Sequence, residues 1–375
     1  MPIPHHILKE PEIDVAVDLL LRDAAASDAT EIFLLPTAKD AVVRVRRGGV
    51  LHEWFRQSKE SHVRFVRCLK RFARLREDVE YALQEHALRR VALGAEIEGQ
   101  LSVVPVLEGE KAVLRLRAPR PALADLGLSV AQRAALGRCL EKPSGLLVLA
   151  GPRCSGRTTT LHALLESAEA LRRQPLLIEP VPEVELHGIN QETADPASGW
   201  TMSELLRSAI AGGSSVIGLG AVRDELTAAL AVSAAEHRLM IIVVEGVSLS
   251  GALSRLLELR VEPRALARVL SGVLLQRLVR RVCPDCRKRV SLAVEEASDV
   301  WPRALVRRLF GKKRSQSFVR GAKCAACWYT GNRGQVGLFE WRNLLVPERH
   351  SDTLLDDGVG KVLSGTITPE EIMKL

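Results

Sequence analysis

The sequence predicts an α/β protein: a small N-terminal α/β domain, then a P-loop parallel-sheet domain that carries a zinc-binding subdomain. Three observations predict it. First, Gly145-Leu-Leu-Val-Leu-Ala150 reads as a short apolar strand and Leu161-His-Ala-Leu-Leu-Glu166 as a helix, with Gly151-Pro-Arg-Cys-Ser-Gly-Arg-Thr-Thr-Thr160 between them. Strand, glycine loop and helix are the context that a phosphate-binding P-loop needs. Second, strand and helix patterns alternate from there to about Val282, which argues for a parallel sheet with helices on both faces. Third, two C-x-x-C pairs follow, Cys283-Pro-Asp-Cys286 and Cys324-Ala-Ala-Cys327, with 37 residues between them. Two such knuckles suit four thiolates around one tetrahedral structural zinc.

The elements follow in order. Ile13 to Ala25 has helical periodicity; Glu31 to Leu35 and Ala41 to Arg46 are strand-like, with Gly48-Gly49 as the turn after the second. His62 to Leu75 is a second helix, and Gln100 to Pro105 and Lys111 to Arg117 are strands joined through Glu108-Gly109. The expected domains are therefore 1–118, a Pro-rich linker 119–129, and 130–375, with the tetracysteine subdomain at about 283–330. In the second domain, Val130 to Glu141 and Leu226 to His237 are helices, and Val216 to Leu219 and Leu239 to Val244 are buried strands.

Composition bounds the function class. With 375 residues, 47% hydrophobic and 26% charged, the chain has an ordinary globular mix. Aromatics are only 4%, so the core must be aliphatic. The net charge of +8 permits contact with acidic surfaces but does not demand it. The start, Met1-Pro-Ile-Pro-His-His6, lacks the basic and apolar regions of a signal peptide, and no apolar run reaches the length of a membrane span. The expected location is cytoplasmic, with any membrane attachment peripheral.

The loop residues Gly151, Pro152, Arg153, Cys154, Ser155, Gly156, Arg157, Thr158 and Thr159 are the candidate nucleotide contacts, because backbone N–H groups and a helix N-terminus converge there on phosphate. The lysine of the G-x-x-x-x-G-K-[ST] pattern is replaced by Arg157. Of seven cysteines, Cys68 and Cys139 read as core thiols and Cys154 lies in the loop. His162 and His187 have no evident ligand partners. The run Arg303 to Arg314, with Trp301 and Phe310 nearby, reads first as a solvated charge run.

With these residues in place, the sequence resembles the secretion ATPase superfamily of type II secretion and type IV pilus motors, from about Ile13 to Val346. Ala26-Ser-Asp28 resembles that family's Ala-Ser-Asp-Ile-His stretch, and Arg44-Val-Arg46 with Gly49-Val-Leu51 its Arg-x-Arg-x-Asp-Gly-x-Leu. The P-loop and Leu161-His-Ala163 resemble Gly-Pro-Thr-Gly-Ser-Gly-Lys-Thr-Thr-Thr-Leu-Tyr-Ala. Ile178-Glu179 with Gly188-Ile-Asn-Gln191 resembles the acidic box, and Arg223-Asp224 with Thr227-Ala228 the Walker B segment. Leu275 to Cys286 and Cys324 to Gly334 are similar to the zinc-bearing branches.

The resemblance implies a PAS-like N-terminal domain and a RecA-like second domain, ATP or ADP with Mg²⁺, and structural Zn²⁺ on Cys283, Cys286, Cys324 and Cys327. It implies a homo-hexamer or a mixed ring with a catalytic paralogue, an inner-membrane platform partner, and no specific nucleic acid. Arg44, Arg46, Arg207 and Arg223 fall on positions that it associates with nucleotide or a neighbouring subunit; simple solvation competes for the first two and surface ion pairing for the others. Larger assembly ATPases carry an extra N-terminal docking module. The matching pattern here begins within the first dozen or so residues, so docking by that route is expected to be absent or supplied by a partner.

The departures matter as much as the matches. On a gapless match from Ile178 to Val261, Pro180 replaces the acidic-box aspartate while Glu179 stays. Gly213-Ser214-Ser215 replaces Asp-Pro-Asp, Ala221 takes the place of the catalytic glutamate, and Glu245 that of a histidine. ATP hydrolysis needs γ-phosphate charge compensation, a held Mg²⁺ and an oriented water. The expectation is a nucleotide-binding but catalytically impaired subunit with Glu179 as the remaining candidate catalytic acid. The alternatives are a working motor with a rebuilt site, or a basic zinc-containing nucleic-acid module.

Overall fold

The computed structural model describes residues 7, 12–27, 29–47, 50–117, 121–180, 184–195, 198–343 and 353–373. The expected Gly48-Gly49 turn, Asp28, the first linker residues and Val346 lie outside that set. The chain divides into two compact units. One comprises Met1–Pro119, Arg280–Lys288 and Arg320–Gly334; the other comprises Arg120–Val279, Arg289–Val319 and Gln335–Leu375.

The first unit is a six-stranded antiparallel sheet of β1 (Glu31–Pro36), β2 (Ala41–Arg47), β3 (Val50–Gln57), β4 (Gln84–Ala92), β5 (Ala95–Val106) and β6 (Gly109–Leu116). Its order is β3-β2-β1-β6-β5-β4. The helices Ile13–Ala26 and Lys59–Phe72 bury Val17, Leu20 and Leu21, and Phe65, Val66 and Leu69, in one core with Ile32, Leu34, Leu101 and Leu114 from the sheet. Arg90 of β4 reaches Asp18 through Nε and Nη2, at 2.7 and 2.8 Å, and so ties the first helix to the sheet.

Two strands were not legible in advance, for a shared reason. The alternating pattern of β3 is broken by a bulge opposite Val43/Arg44, and edge strand β4 buries only Leu88 and Ala92 among charged residues. Strands stabilised by pairing rather than by a buried face carry a weak period-2 signal. The helix predicted to begin at His62 starts at Lys59 because Ser58 accepts from the Ser61 N–H as its cap.

The second unit is the expected parallel sheet. Its strands are β7 (Gly145–Gly151), β8 (Leu176–Glu179), β9 (Asn190–Thr193), β10 (Val216–Leu219), β11 (Leu239–Glu245), β12 (Leu270–Val282) and, beyond the small hairpin β13 (Arg287–Ala293) and β14 (Ser315–Gly321), β15 (Asn332–Asn343). The order is β15-β12-β7-β11-β10-β8-β9, and β12, β7, β11, β10, β8 and β9 run parallel.

Alternation along the central strands divides the core. Leu146, Val148 and Ala150 of β7 and Met240, Ile242 and Val244 of β11 face one cluster, with Leu206, Ala228 and Leu256 from helices. Leu147, Leu149, Ile241 and Val243 face the other, with Leu136, Leu161 and Leu164. Both faces are therefore covered, as continuous apolar strands require. Between β13 and β14, Trp301, Phe310 and Phe318 form an aromatic cluster with centroids 5.4–6.4 Å apart. The basic helix Arg303–Phe310 turns Leu305, Val306, Leu309 and Phe310 inward and leaves Arg303, Arg307 and Arg308 exposed. Among the described residues, no helix is long and apolar enough to cross a membrane.

Candidate nucleotide site and cysteine metal centre

The loop leaves the C-terminal end of β7, where Gly151 stands in register with Glu245 of β11, and enters the helix Arg157–Leu165. Both of its glycines are set by close approach. A Cβ on Gly151 would lie 2.4 Å from Ser155 Oγ and 2.6 Å from the Gln276 carbonyl; one on Gly156, whose φ is +87°, would lie 2.8 Å from Gln276 Nε2. Gln276 of β12 thus clamps the loop, and its Oε1 also accepts from Thr160 Oγ1 at 2.6 Å. Sequence reading missed Gln276, although a lone amide inside the apolar run of β12 is a signal for a buried polar partner. Cys154 holds a left-handed φ of +60° without being glycine, and is exposed. Ser155 is 3% exposed, and its Oγ has no hydrogen-bond partner among the described residues.

Arg157 opens the helix. Its Nη1 donates to the Val244 carbonyl at 2.8 Å, so the guanidinium sits at the junction of loop and β11. Burial lowers its pKa from the usual arginine value; Glu245 opposes that shift, while Arg153 and Arg223 reinforce it. Arg153 Nε lies 3.7 Å from Glu245 Oε2. Arg223 is exposed, and its neighbour Asp224 caps the helix Glu225–Ala234 by accepting from the Thr227 N–H and hydroxyl.

Beneath the loop, His162 Nε2 lies 2.9 Å from Glu179 Oε1, and the two side chains are 4% and 5% exposed. Glu179 Oε2 is buried without a partner among the described residues. Here the histidine that showed no partner in the sequence has one. A polar residue within Leu161-His-Ala-Leu-Leu165, all buried, was the available signal. Gly220 packs against Glu179, leaving a Cβ only 3.0 Å from its Cγ, and Ala221 follows with no carboxylate to offer.

Ser215 requires a correction. It precedes Val216, which is in register with Leu239 and, through it, with Gly145. The loop is at the other end of those strands, about 20 Å away at 3.3 Å per residue. Ser215 Oγ instead donates to the Arg173 carbonyl at 2.9 Å, so its replacement of an aspartate does not touch this site. Arg44 and Arg46 lie on one face of β2 opposite Glu53 and Glu31, their cross-strand ion-pair partners. Arg207 pairs with Glu204 at 4.0 Å on its own helix. Glu371, buried, lines the cleft beside Pro152–Ser155 together with Arg277, Leu278 and Val279.

In the first unit, the sulfurs of Cys283, Cys286, Cys324 and Cys327 all lie within 4.8 Å of one another. Three of the separations are 4.0, 3.7 and 3.8 Å. A tetrahedral ion with metal–sulfur bonds of about 2.3 Å gives edges of about 3.8 Å, so this donor set fits zinc. The Gly331 N–H donates to Cys327 Sγ at 3.2 Å, and Arg333 pairs with Asp285 inside the first knuckle at 3.0 Å. Trp328, beside Cys327, packs on His52 and Trp54 with centroids at 5.3 and 6.1 Å, and Arg47 donates to the Ala326 carbonyl at 2.9 Å. The four-cysteine cluster is thereby built onto the N-terminal sheet.

A sequence profile described as Type II/IV secretion system protein matches residues 9–363. The chain belongs to that family. Type II secretion system protein E of Pseudomonas aeruginosa is 31% identical over 383 residues, covering 96% of this chain and 74% of that one. Type IV pilus assembly ATPase PilB of Thermus thermophilus is 29% identical and covers 98% of this chain and 43% of its own length. Among solved structures, the Legionella pneumophila ATPase DotB matches with a TM-score of 0.64 at 14% identity over 99% of this chain and 97% of that one. The pilus retraction motor PilT with bound ADP matches at 0.55 and 17% identity over 96% of each. At those identities the likeness is one of fold, and the second unit of this secretion-family chain is RecA-like.

Proposed function

We propose that this chain is a nucleotide-binding, catalytically impaired subunit of a type II secretion or type IV pilus machine. It acts in the cytoplasm, in a hexameric ring of its own or with a catalytic paralogue, against an inner-membrane platform protein. The observation that carries this reading is the pairing of a phosphate loop that keeps its glycines and hydroxyl, with Arg157 in the lysine position, and a depleted reaction centre. Gly151, Gly156 and the helix N-terminus keep the phosphate cradle, and Thr158 keeps its hydroxyl. Pro180 and Ala221 bring no carboxylate, while Glu179 is held by His162. Ground-state binding needs only complementarity to the nucleotide; groups that orient water and stabilise charge act in the transition state, and their loss costs orders of magnitude in rate.

Zinc on the four cysteines serves a structural role in this reading. The experiment that tests the whole is an ATP binding titration beside steady-state phosphate release on one preparation, with binding and no appreciable release as the expected pair of results.

A further inference from the structure

We infer that this loop compensates triphosphate charge with guanidinium groups in place of a divalent cation, so that nucleotide binds independently of Mg²⁺. The inference rests on the nucleotide-binding reading above and concerns how the same site takes its ligand.

The acidic groups around the loop do not fit a magnesium ion. Mg²⁺ demands near-octahedral oxygen ligands and keeps several waters, so it is held by one or two accessible carboxylates together with phosphates. Ala221 and Pro180 supply none. Glu179 is 3% exposed with one oxygen on His162 and the other sealed from solvent, out of reach of a hydrated ion. Asp224 is spent on the Thr227 N–H and hydroxyl. Glu245 is exposed but stands 3.7 Å from Arg153. Glu371 lines the cleft beside the loop but is 3% exposed, which leaves no room for the water shell that Mg²⁺ keeps. Of the groups that hold the metal in a P-loop, only the Thr158 hydroxyl remains.

The cations, by contrast, are kept, and Arg153 adds one where the quoted pattern has threonine. Arg157 stands where the pattern has a lysine, and the charges of Arg153 and Arg223 act on it. Among the described residues its side chain donates through Nη1 alone, to the Val244 carbonyl. A guanidinium presents five donors in a planar fork that matches phosphate oxygens in pairs, where an ammonium is a point charge. Burial has already removed part of the water around Arg157, which strengthens its attraction for an incoming anion. Within the loop, the buried Ser155 Oγ has no hydrogen-bond partner among the described residues and is one more polar group that a phosphate could engage. A site rich in arginine and short of accessible carboxylate favours the free polyanion as much as its magnesium complex.

The test is calorimetric titration of the full-length protein with ATP in buffer freed of divalent ions over a chelating resin, and again with excess MgCl₂. Soluble chelators are left out because they would strip the cysteine-bound metal. The expected Kd values agree within about threefold, and Arg157→Gln weakens metal-free binding by about tenfold or more, given charge-assisted contacts of the kind a guanidinium makes to phosphate. Zinc content should be unchanged in that variant, and it should still unfold cooperatively well above the titration temperature despite losing the bond to Val244. Binding seen only with magnesium overturns this inference and leaves the nucleotide-binding reading standing. Binding in neither buffer overturns both. Metal-free binding that Arg157→Gln leaves untouched also overturns the inference.

Discussion

His162 on the P-loop helix and Glu179 at the end of β8 form a buried pair, Nε2 to Oε1 at 2.9 Å, directly behind the loop. The acid that remains in the acidic box is therefore a strut between helix and strand. Removing one partner of a buried pair strands the other. His162→Leu should destabilise the protein by about 2 kcal/mol, the usual cost of leaving a buried hydrogen-bonding group unsatisfied. Denaturant melts measure it; a loss below about 1 kcal/mol would be in the range of exposed pairs and would show that the two groups are not coupled.

The four-cysteine centre should carry about one zinc per chain, since its sulfur spacing fits a tetrahedral zinc. Because Trp328 packs on His52 and Trp54, stripping the metal or making Cys327→Ser should change tryptophan emission and lower the melting temperature. A Trp328→Phe background identifies the reporter. Elemental analysis without zinc in reduced, freshly purified protein contradicts this assignment.

His62 makes the N-terminal unit acid-sensitive. Burial lowers its pKa below the ordinary value of 6.5, against a weaker opposing effect of its bond to the Glu110 carbonyl at 2.8 Å. Its Nδ1 is buried without a partner among the described residues. The unfolded chain therefore binds the proton more readily, and stability falls as pH drops below about 6.5 until the folded-state value is passed. His62→Gln should flatten the profile in that window; an unchanged profile would mean that His62 is not its source.

The loop thiol should be the most reactive of the three cysteines outside the metal centre. Cys154 is exposed, whereas Cys68 is buried and burial, aided by Asp14, pushes its pKa up to about 12. Iodoacetamide followed by mass spectrometry should label Cys154 first and spare Cys68 and Cys139 until unfolding. ATP should protect Cys154, and equal labelling with and without ATP counts against nucleotide in the loop.

Much of this was legible in the sequence, where local pattern and local geometry coincide. The strand–loop–helix unit, the parallel sheet and the cysteine spacing are each fixed within short stretches. What escaped depends on residues that are distant in sequence. Gln276 reaches the loop across 116 positions to Thr160, and His162 finds Glu179 only once β8 lies beside the P-loop helix. Ser215 shows the converse error: its place in a matched motif suggested the site, but strand register puts it at the far end of the sheet.

The central claim is that the chain holds nucleotide without turning it over. The most direct measurement is steady-state phosphate release on a sample whose ATP binding has been titrated to saturation. The account predicts saturable binding with release that is undetectable or slower than ordinary enzymes by orders of magnitude. Release at about 1 per second or faster, within the common range for enzymes, would contradict it and show a working site rebuilt around Arg157, Glu179 and Glu245.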